Sequence, residues 1–576
     1  MIAYRIDIAD LHTHHFEVTL QVPRPAAQQE LSLPVWIPGS YMVREFGRHL
    51  SGLRAWQGRT EVPLLQLDKT TWRADCADAR TLRVSYRVYA FDTSVRTAFL
   101  DDRRGFFNGT SLCLRVTGRE ADPHVVTLGR LPRGWSVATA MPSTGEREYT
   151  AADYDELVDH PFELGTFWRG EFEACGVPHE FIVAGAWPGW DGQRLLDDTR
   201  RICEQQIRFW HGHAGAAPPF GRYVFMLNAV DEGYGGLEHR ASTALIAARR
   251  DLPRPGMETL PDGYVTLLGL ISHEYFHTWN VKRLKPVELA RPNYTGENYT
   301  RMLWFFEGFT SYYDDLMLLR AGLIDAPRYL KLLAKSVNPV AATPGRQVQS
   351  VAEASFDAWV KYYRPDENTP NATVSYYVKG SLIALALDLR LRHKGSSLDA
   401  LMRGLWSLGN GGPISEADID RTLRAMGQRA AADDLRAWVH GTGDMPLGEL
   451  LKGVAVSWST ERAGWAASLG LRLSEGAVTG VQVRQVLAGS AASDAGICAG
   501  DELLAVDGWR IRRLDDAQAW VSRQQAFDLL LVRDQRVRLL RVQPRDPSPL
   551  HETVVLAMHD KAPAAALARR RAWMAG

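Results

Sequence analysis

Cysteine is scarce in this sequence, which holds five cysteines among 576 residues and has none of them in a CxxC spacing. A scattered, odd-numbered set argues against a disulfide framework and against a zinc site built from thiolates. The residues are Cys76, Cys113, Cys175, Cys203 and Cys498. Long apolar runs are also missing, since stretches such as "SLIALALDL" fall far short of the ~20 residues that span a bilayer. Because the N-terminus also lacks a basic segment followed by an apolar one, we expect a cytoplasmic protein without membrane insertion.

An excess of charge of either sign is absent as well. Lysine and arginine number 67, and aspartate and glutamate also number 67. No global field then favours an anionic partner, so we expect no nucleic acid. What is present is typical of a globular protein, with 45% hydrophobic and 23% charged residues. At roughly 150 residues per domain, the length predicts three or four domains.

The sequence pattern changes three times along the chain. Residues 1–170 alternate in short segments such as "FEVTLQV", which predicts an antiparallel β domain. In most of residues 171–452 the apolar residues are three or four positions apart, which predicts helices. In residues 453–546 apolar and polar residues alternate again, which predicts a β-rich module. Residues 547–576 predict a strand and then a basic helical tail, whose "ARRRAW" is expected to face solvent. The fold class expected is therefore a multidomain α+β protein.

The stretch "LISHEYFHTWNVKRL", residues 270–284, carries two histidines four residues apart. On a helix this spacing places the imidazoles of His273 and His277 on one face, where they can bind one cation. Glu274 follows the first histidine and can take a proton from a metal-bound water. The alternative is a buried helix with two satisfied core histidines.

A catalytic zinc ion usually has a third protein ligand and an open position for water. The candidate is Glu307 in "WFFEGFTSYY", because a carboxylate among aromatic residues needs a strong partner. The alternative is that Glu307 caps a helix or pairs with Arg301.

These segments resemble the gluzincin zinc metallopeptidases, and among them the glycyl aminopeptidase family with a C-terminal PDZ domain. "HEYFHTWNVKRLKP" and "WFFEGFTSYY" look like the family's zinc-binding segments, and "VWIPGSYMVREFGRHL" looks like its N-terminal β domain. The resemblance implies a thermolysin-like catalytic domain, ligands His273, His277 and Glu307, and Glu274 as general base.

Two further stretches extend the resemblance. "GGLEH" is similar to the motif in which a glutamate holds the substrate's free α-ammonium, which implies substrate binding by Gly235, Gly236 and Glu238. "SYYVKGSL" resembles the segment that carries a catalytic phenol, which implies Tyr377 as the group that stabilises the oxyanion. The alternatives are an exposed turn glutamate and a tyrosine that only packs.

The C-terminal "SLGLRL" and "VLAGSAASDAGICAGDELLAVDGWRI" resemble a PDZ domain. Its glycine loop would offer backbone N–H groups from Leu469, Gly470 and Leu471 to the C-terminus of a peptide. A purely structural β module is the alternative.

The sequence and the resemblance together predict a zinc aminopeptidase with one Zn²⁺ per chain. Its substrates are peptides with a free N-terminus, and the family implies that small first residues such as glycine and alanine are removed. Two alternatives stay open at this point. One is an endopeptidase that uses the same zinc site, and the other is a PDZ-mediated scaffold protein whose zinc domain is inactive.

Overall fold

The computed structural model describes residues 1–212, 217–409, 411–476, 478–545 and 552–576. The chain forms two compact units, each described by itself. The first unit comprises Met1–Tyr299 and Trp406–Ser415, and the second comprises Thr300–Leu405 and Glu416–Gly576. The predicted boundary at residues 546 and 547 lies outside the described residues.

The first 166 residues of the first unit form three mostly antiparallel sheets around one apolar core. Strand His15–Val22 shows why, since Phe16, Val18, Leu20 and Val22 alternate with more exposed residues and are buried on one face. The eight-stranded sheet has, in spatial order, Ser143–Gly145, Glu148–Ala151, His124–Leu128, Ile2–Asp10, His15–Val22, Leu82–Tyr89, Leu50–Gln57 and Thr60–Val62. The two four-stranded sheets have Ser136–Ala138, Phe162–Gly165, Arg104–Phe107 and Ala98–Leu100, then Arg115–Val116, Gln28–Ser32, Thr71–Asp75 and Leu64–Gln66. Short helices lie at Gly109–Leu112 and Tyr154–Val158.

A five-stranded sheet follows in the same unit. Its central strands Val177–Ala184, Tyr223–Val230 and Ser242–Ala248 are parallel, and antiparallel strands Trp168–Ala174 and Tyr234–Glu238 form its edges. The central strands are almost continuously buried, as expected of parallel strands covered by helices. The covering helices are Gly192–His211 and Asp262–Phe276, and the second packs against the edge strand Tyr234–Glu238.

The helical part of the second unit is built around helix Tyr376–His393, most of whose residues are buried. It crosses helix Gly308–Arg320 so closely that a Cβ atom on Gly308 would lie 2.6 Å from Cα of Gly380. Glycine is therefore required at this crossing. The other helices of residues 300–452 are Leu303–Phe306, Ala326–Ala341, Val351–Phe356, Thr369–Ala372, Leu398–Leu408, Glu416–Ala425, Arg429–His440 and Leu447–Lys452.

The rest of the second unit is a β module with its own core. Its strands are, in spatial order, Leu471–Gly476, Gly480–Val486, Glu502–Val506, Phe527–Arg533 and Arg536–Val542, and Trp509–Arg510 pairs with the third of them. Short helices lie at Trp465–Ser468 and Ala491–Asp494. Strand Val456–Arg462 pairs with Glu552–Met558. The multidomain α+β class predicted from the sequence is confirmed.

The C-terminal helix Ala564–Ala575 is docked rather than fully solvated. Its Trp573 is completely buried, and the indole Nε1 donates to Oη of Tyr312 at 2.8 Å. Arg569 and Arg570 donate to the carbonyl oxygens of Gly453 and Ala455. The prediction of a solvated basic face is therefore wrong for these two arginines, because backbone carbonyls at the module's start bind them. Among the described residues, no helix has the length and apolarity needed to cross a membrane.

Candidate active site

Helix Asp262–Phe276, here called the histidine helix, carries the HExxH sequence at its C-terminal end. Asp262 lies in its first turn, where an acidic group is favoured by the helix dipole. The helix ends at Phe276, but His277 keeps a right-handed helical backbone and its N–H donates to the carbonyl of His273 at 3.2 Å. Gln206 of the neighbouring helix binds the backbone of Ser272 at 2.8 Å and so fixes the last turn. Both histidines therefore lie on one stiff helical turn.

The two imidazoles point at the same place. Their Nε2 atoms are 3.0 Å apart, and the ring planes are nearly perpendicular at 87°. Nδ1 of the buried His277 lies 2.7 Å from the carbonyl oxygen of Asn280, so it donates there and leaves the Nε2 lone pair directed at His273. Two nitrogens bound tetrahedrally to one zinc ion lie roughly 3.3 Å apart. The observed pair therefore fits a zinc ion.

Glu274 lies against the glycine doublet of the edge strand. A Cβ atom on Gly236 would lie 2.2 Å from Oε1 of Glu274, so only glycine leaves room for this carboxylate. A Cβ on Gly235 would meet no atom closer than 3.7 Å, so the first glycine is not needed for space. Arg96 donates to the carbonyl of Gly236 at 3.0 Å and so helps to hold the edge strand in place. The strand thus sets the position of the general-base candidate.

Glu238 ends the same edge strand and is buried. Its carboxylate rests on Gly39, where a Cβ atom would lie 2.5 Å from Oε1 and where φ is +97°. Ligand atoms of Glu238, Glu274 and His277 all lie within 4.8 Å of one another. The first unit therefore brings together both predicted carboxylates and the predicted histidines. An exposed turn glutamate, the alternative for Glu238, is excluded.

A buried charge network lies behind Glu238. Nζ of Lys282 is 2.8 Å from Oδ1 of Asp159, and both side chains are less than 10% exposed. Burial alone would raise the pKa of Asp159, but Lys282, His239 and Arg240 hold it well below its usual value. Burial lowers the pKa of His239, which lies 3.7 Å from Asp159. This network ties Lys282, which follows the histidine helix, to Asp159, and ties Asp159 to His239 and Arg240, which follow Glu238.

Glu307 belongs to the second unit and links helix Leu303–Phe306 to helix Gly308–Arg320. It is buried, and its side chain makes no cap hydrogen bond. Arg301 instead stacks its guanidinium on Phe356, 4.7 Å from the ring centre. The capping alternative is therefore excluded, and Arg301 is engaged elsewhere. Burial raises the pKa of Tyr362 and Tyr377, and the negative charge of Glu307 adds to the rise.

Tyr377 lies in the first turn of helix Tyr376–His393, which Ser375 caps by accepting from the N–H of Val378 at 3.2 Å. Its Oη is 3.4 Å from Oη of Tyr363. Burial, followed by the charge of Glu307, raises the pKa of Tyr377 well above its usual value, so the phenol keeps its proton. Tyr376 is fully buried and stacks on Tyr377, as a packing residue does. The second unit thus brings together Glu307 and Tyr377.

The predicted carboxylate loop of the β module is closed by its own hydrogen bonds. The N–H of Leu469 donates to the carbonyl of Trp465 at 3.1 Å, and that of Gly470 to Ala467 at 2.9 Å. Leu471 opens a strand and pairs with Val486. Two of the three N–H groups predicted to bind a peptide, those of Leu469 and Gly470, therefore donate to helix Trp465–Ser468, and peptide binding at this loop stays a prediction.

Comparison with known proteins agrees with this geometry. Residues 3–166 match the Peptidase M61 N-terminal domain, residues 266–383 match M61 glycyl aminopeptidase, and residues 482–533 match a PDZ domain. A crystal structure of an aminopeptidase N family protein from Idiomarina loihiensis is 35% identical, with a TM-score of 0.92 and 100% of both chains covered. The chain belongs to the M61 glycyl aminopeptidase family. The predicted family is confirmed, and so is the prediction that the protein is an enzyme, a zinc metallopeptidase.

Other comparisons add less to what is known of this M61 peptidase. An M1 zinc metallopeptidase from Deinococcus radiodurans is 16% identical, with a TM-score of 0.49 over 77% of this chain and 94% of its own. Likeness this distant says nothing about the chemistry of the M61 enzyme. No curated protein matches the chain significantly.

Sequence reasoning missed several residues of the M61 site. Gly39 lies in "VWIPGSYMVREFGRHL", which looked like the family's β domain but carried no assigned chemistry. Asn280 contributes only a carbonyl oxygen, so its side chain gives no signal. Gly380 lies within "SYYVKGSL" and Gly308 follows Glu307 in "WFFEGFTSYY", and these two glycines were the sign in the sequence of a close helix crossing.

Proposed function

We propose that this enzyme is a zinc-dependent aminopeptidase that removes small N-terminal residues, preferably glycine or alanine, from peptides. The observation that carries the proposal is the group formed by His273, Glu274, His277 and Glu238 in the first unit. A pair of convergent imidazoles stands beside one carboxylate suited to proton transfer and a second suited to binding an ammonium group. Hydrolysis of a peptide at its free N-terminus uses all four of these side chains.

We propose one Zn²⁺ per chain, with His273, His277 and Glu307 as its ligands. The convergent Nε2 atoms, and the hydrogen bond that fixes the tautomer of His277, support the two nitrogen ligands. The burial of Glu307, without a capping role, supports the third. When bound, such an ion polarises the scissile carbonyl and lowers the pKa of water.

Glu274 is the proposed general base. Its carboxylate is buried and held on the backbone of Gly236, so it meets the attacking water in one fixed position. It takes a proton from that water and passes it to the departing amine. The fixed position matters because a displacement of about 1 Å in a catalytic group can cost two orders of magnitude in rate.

Tyr377 is the proposed donor to the oxyanion. A tyrosine with its ordinary pKa of about 10 is protonated at neutral pH, and burial raises the pKa of Tyr377 further, so the phenol can donate a hydrogen bond. A donor aimed at the developing negative charge stabilises the tetrahedral intermediate more than the planar substrate.

Glu238 is the proposed anchor of the substrate's ammonium group, and Gly235 and Gly236 form the strand beside which the substrate lies. A buried carboxylate pairs strongly with a charged amine and so favours cleavage after the first residue. Glu238 also lines a cavity of about 50 Å³ together with Trp36 and Tyr41. The match to M61 glycyl aminopeptidase supports the preference for small first residues.

The proposal is tested by hydrolysis of glycyl and alanyl chromogenic amides beside their N-acetylated forms, with and without a chelator. We expect cleavage of the free-amine substrates only, and its loss with the chelator. Equal cleavage of the acetylated substrates would mean an endopeptidase and would remove Glu238 from the mechanism. Leucyl and phenylalanyl amides cleaved as fast as glycyl amides would refute the size preference.

We also retain as proposals the domain division at residues 170 and 452 and the cytoplasmic location. The matches at residues 3–166 and 266–383 support the first division. The five cysteines are all free thiols, which supports a reducing compartment.

A further inference from the structure

Two asparagines fasten the β module to the helical part of the second unit. Nδ2 of Asn371 donates to the carbonyl of Val486 at 2.9 Å, and its Oδ1 accepts from the N–H of Ala488 at 2.8 Å. Asn338 does the same at another strand, donating to the carbonyl of Val554 at 3.0 Å and accepting from its N–H at 2.7 Å. Each side-chain amide thus replaces a backbone amide at a strand edge.

The two asparagines differ in what they are attached to. Asn338 lies on the long helix Ala326–Ala341. Asn371 lies instead in the short helix Thr369–Ala372. This helix belongs to residues 363–377, here called the tyrosine loop, whose ends are Tyr363 and Tyr377 with their Oη atoms 3.4 Å apart. Gln485 of the β module adds a longer contact of 3.5 Å to the carbonyl of Asp366 in the same loop. The end of strand Gly480–Val486 therefore holds the middle of the tyrosine loop.

The chain between Asn371 and Tyr377 is short and tightly packed. Thr373 and Val374 are buried, and a Cβ atom on Gly345 would lie 2.2 Å from the carbonyl oxygen of Thr373. Ser375 caps the helix that Tyr377 begins. Because this stretch is short and packed, the position of Asn371 limits where the first turn of helix Tyr376–His393 can lie.

The glycine loop of the β module uses two of its N–H groups within the module. The N–H groups of Leu469 and Gly470 are bonded within the module, and a Cβ atom on Gly470 would lie 2.2 Å from Cβ of Ser490. The end of strand Gly480–Val486 binds Asn371 of its own chain.

We propose that Asn371 is a positioning residue for Tyr377, through which the PDZ region of this enzyme holds the catalytic phenol in place. The inference rests on the proposed role of Tyr377 in catalysis. In this proposal the PDZ region supports catalysis within its own chain, in addition to any binding of a partner.

The test compares Asn371→Ala with the matched control Asn338→Ala in the full-length zinc enzyme. Both variants lose two hydrogen bonds to the β module, so we expect similar decreases in Tm. We expect kcat for a glycyl amide to fall about tenfold in Asn371→Ala, with KM and zinc content unchanged, and to stay within about twofold in Asn338→Ala. Asn371→Asp keeps the acceptor but loses the donor, and we expect an intermediate kcat. It carries the test if Asn371→Ala does not fold.

A double-mutant cycle separates positioning from a general structural effect. In a Tyr377→Phe background, the Asn371 substitution should change kcat by less than about twofold, because the group that it positions is gone. An equal loss in both backgrounds, or an equal loss in Asn338→Ala, would overturn the inference. Should Tyr377→Phe itself leave kcat unchanged, the proposed role of Tyr377 fails and the inference falls with it. If kcat falls in Tyr377→Phe but not in Asn371→Ala, the inference about Asn371 is overturned and the proposed role of Tyr377 stands.

Discussion

Replacing Gly236 by alanine tests how the edge strand positions the general base. The added Cβ would lie 2.2 Å from Oε1 and 2.3 Å from Cδ of Glu274, whereas ordinary contacts begin at 3.4 Å. The carboxylate must therefore retreat by about 1.2 Å, and a shift of this size in a catalytic group costs about 10²-fold in rate. The three atoms nearest to the new methyl group all belong to Glu274. We expect kcat to fall by about two orders of magnitude while the zinc content is unchanged.

The assay is hydrolysis of a glycyl chromogenic amide at saturating substrate, with zinc measured by mass spectrometry on the same preparation. Gly221→Ala is the control, because a Cβ there meets nothing within 4 Å and its backbone is not left-handed. The control should keep its rate. If Gly236→Ala retains kcat within about twofold of the wild type, the strand does not fix Glu274 and the general-base geometry argued above is wrong.

Three further changes test the rest of the site and its support. Glu238→Gln should raise KM for glycyl amides at least about tenfold with zinc retained, since the ammonium loses its charged partner; an unchanged KM would remove Glu238 as the anchor. Lys282→Met should lower the free energy of unfolding by about 3–5 kcal/mol, because it leaves Asp159 buried without its lysine; urea unfolding at pH 7 measures this, and a loss below about 1 kcal/mol would refute it. Burial lowers the pKa of His179 to about 4, so the neutral ring stabilises the fold above pH 6.5 and that stability is lost as pH falls from 6.5 toward 4. His179→Gln should remove about 3 kcal/mol of this pH dependence, and an unaltered slope would count against the buried neutral histidine.

The parts of the fold that the sequence predicts are those with a strong local pattern. The alternation in His15–Val22 and the histidine pair at His273 and His277 each follow from the spacing of residues in one element. The docking of helix Ala564–Ala575 does not, because its buried Trp573 contacts Tyr312, 261 residues away. Three consecutive arginines predict a solvated helix face, and the carbonyl oxygens that bind two of them, Arg569 and Arg570, lie more than 100 residues away in the sequence.

The site shows the same division. The proposed chemistry of Glu274 can be predicted from its place beside His273 in the HExxH sequence, but its fixed position depends on Gly236 in another element. The contact between Gly39 and Glu238 joins residues almost 200 positions apart and leaves no periodic signal. At the predicted PDZ loop the glycine was recognised, but the helix Trp465–Ser468 that uses the N–H groups of Leu469 and Gly470 is only four residues long. So short a helix has too little periodicity to be predicted.

The central claim is that His273, His277 and Glu307 bind one catalytic zinc ion. The most direct measurement is the zinc content per chain of the wild-type protein and of Glu307→Ala, after both are loaded with zinc and freed of excess ion. We predict one zinc per chain in the wild type and substantially less in Glu307→Ala, because a ligand is lost. A wild-type protein without zinc, or a Glu307→Ala variant with as much zinc as the wild type, would contradict the account.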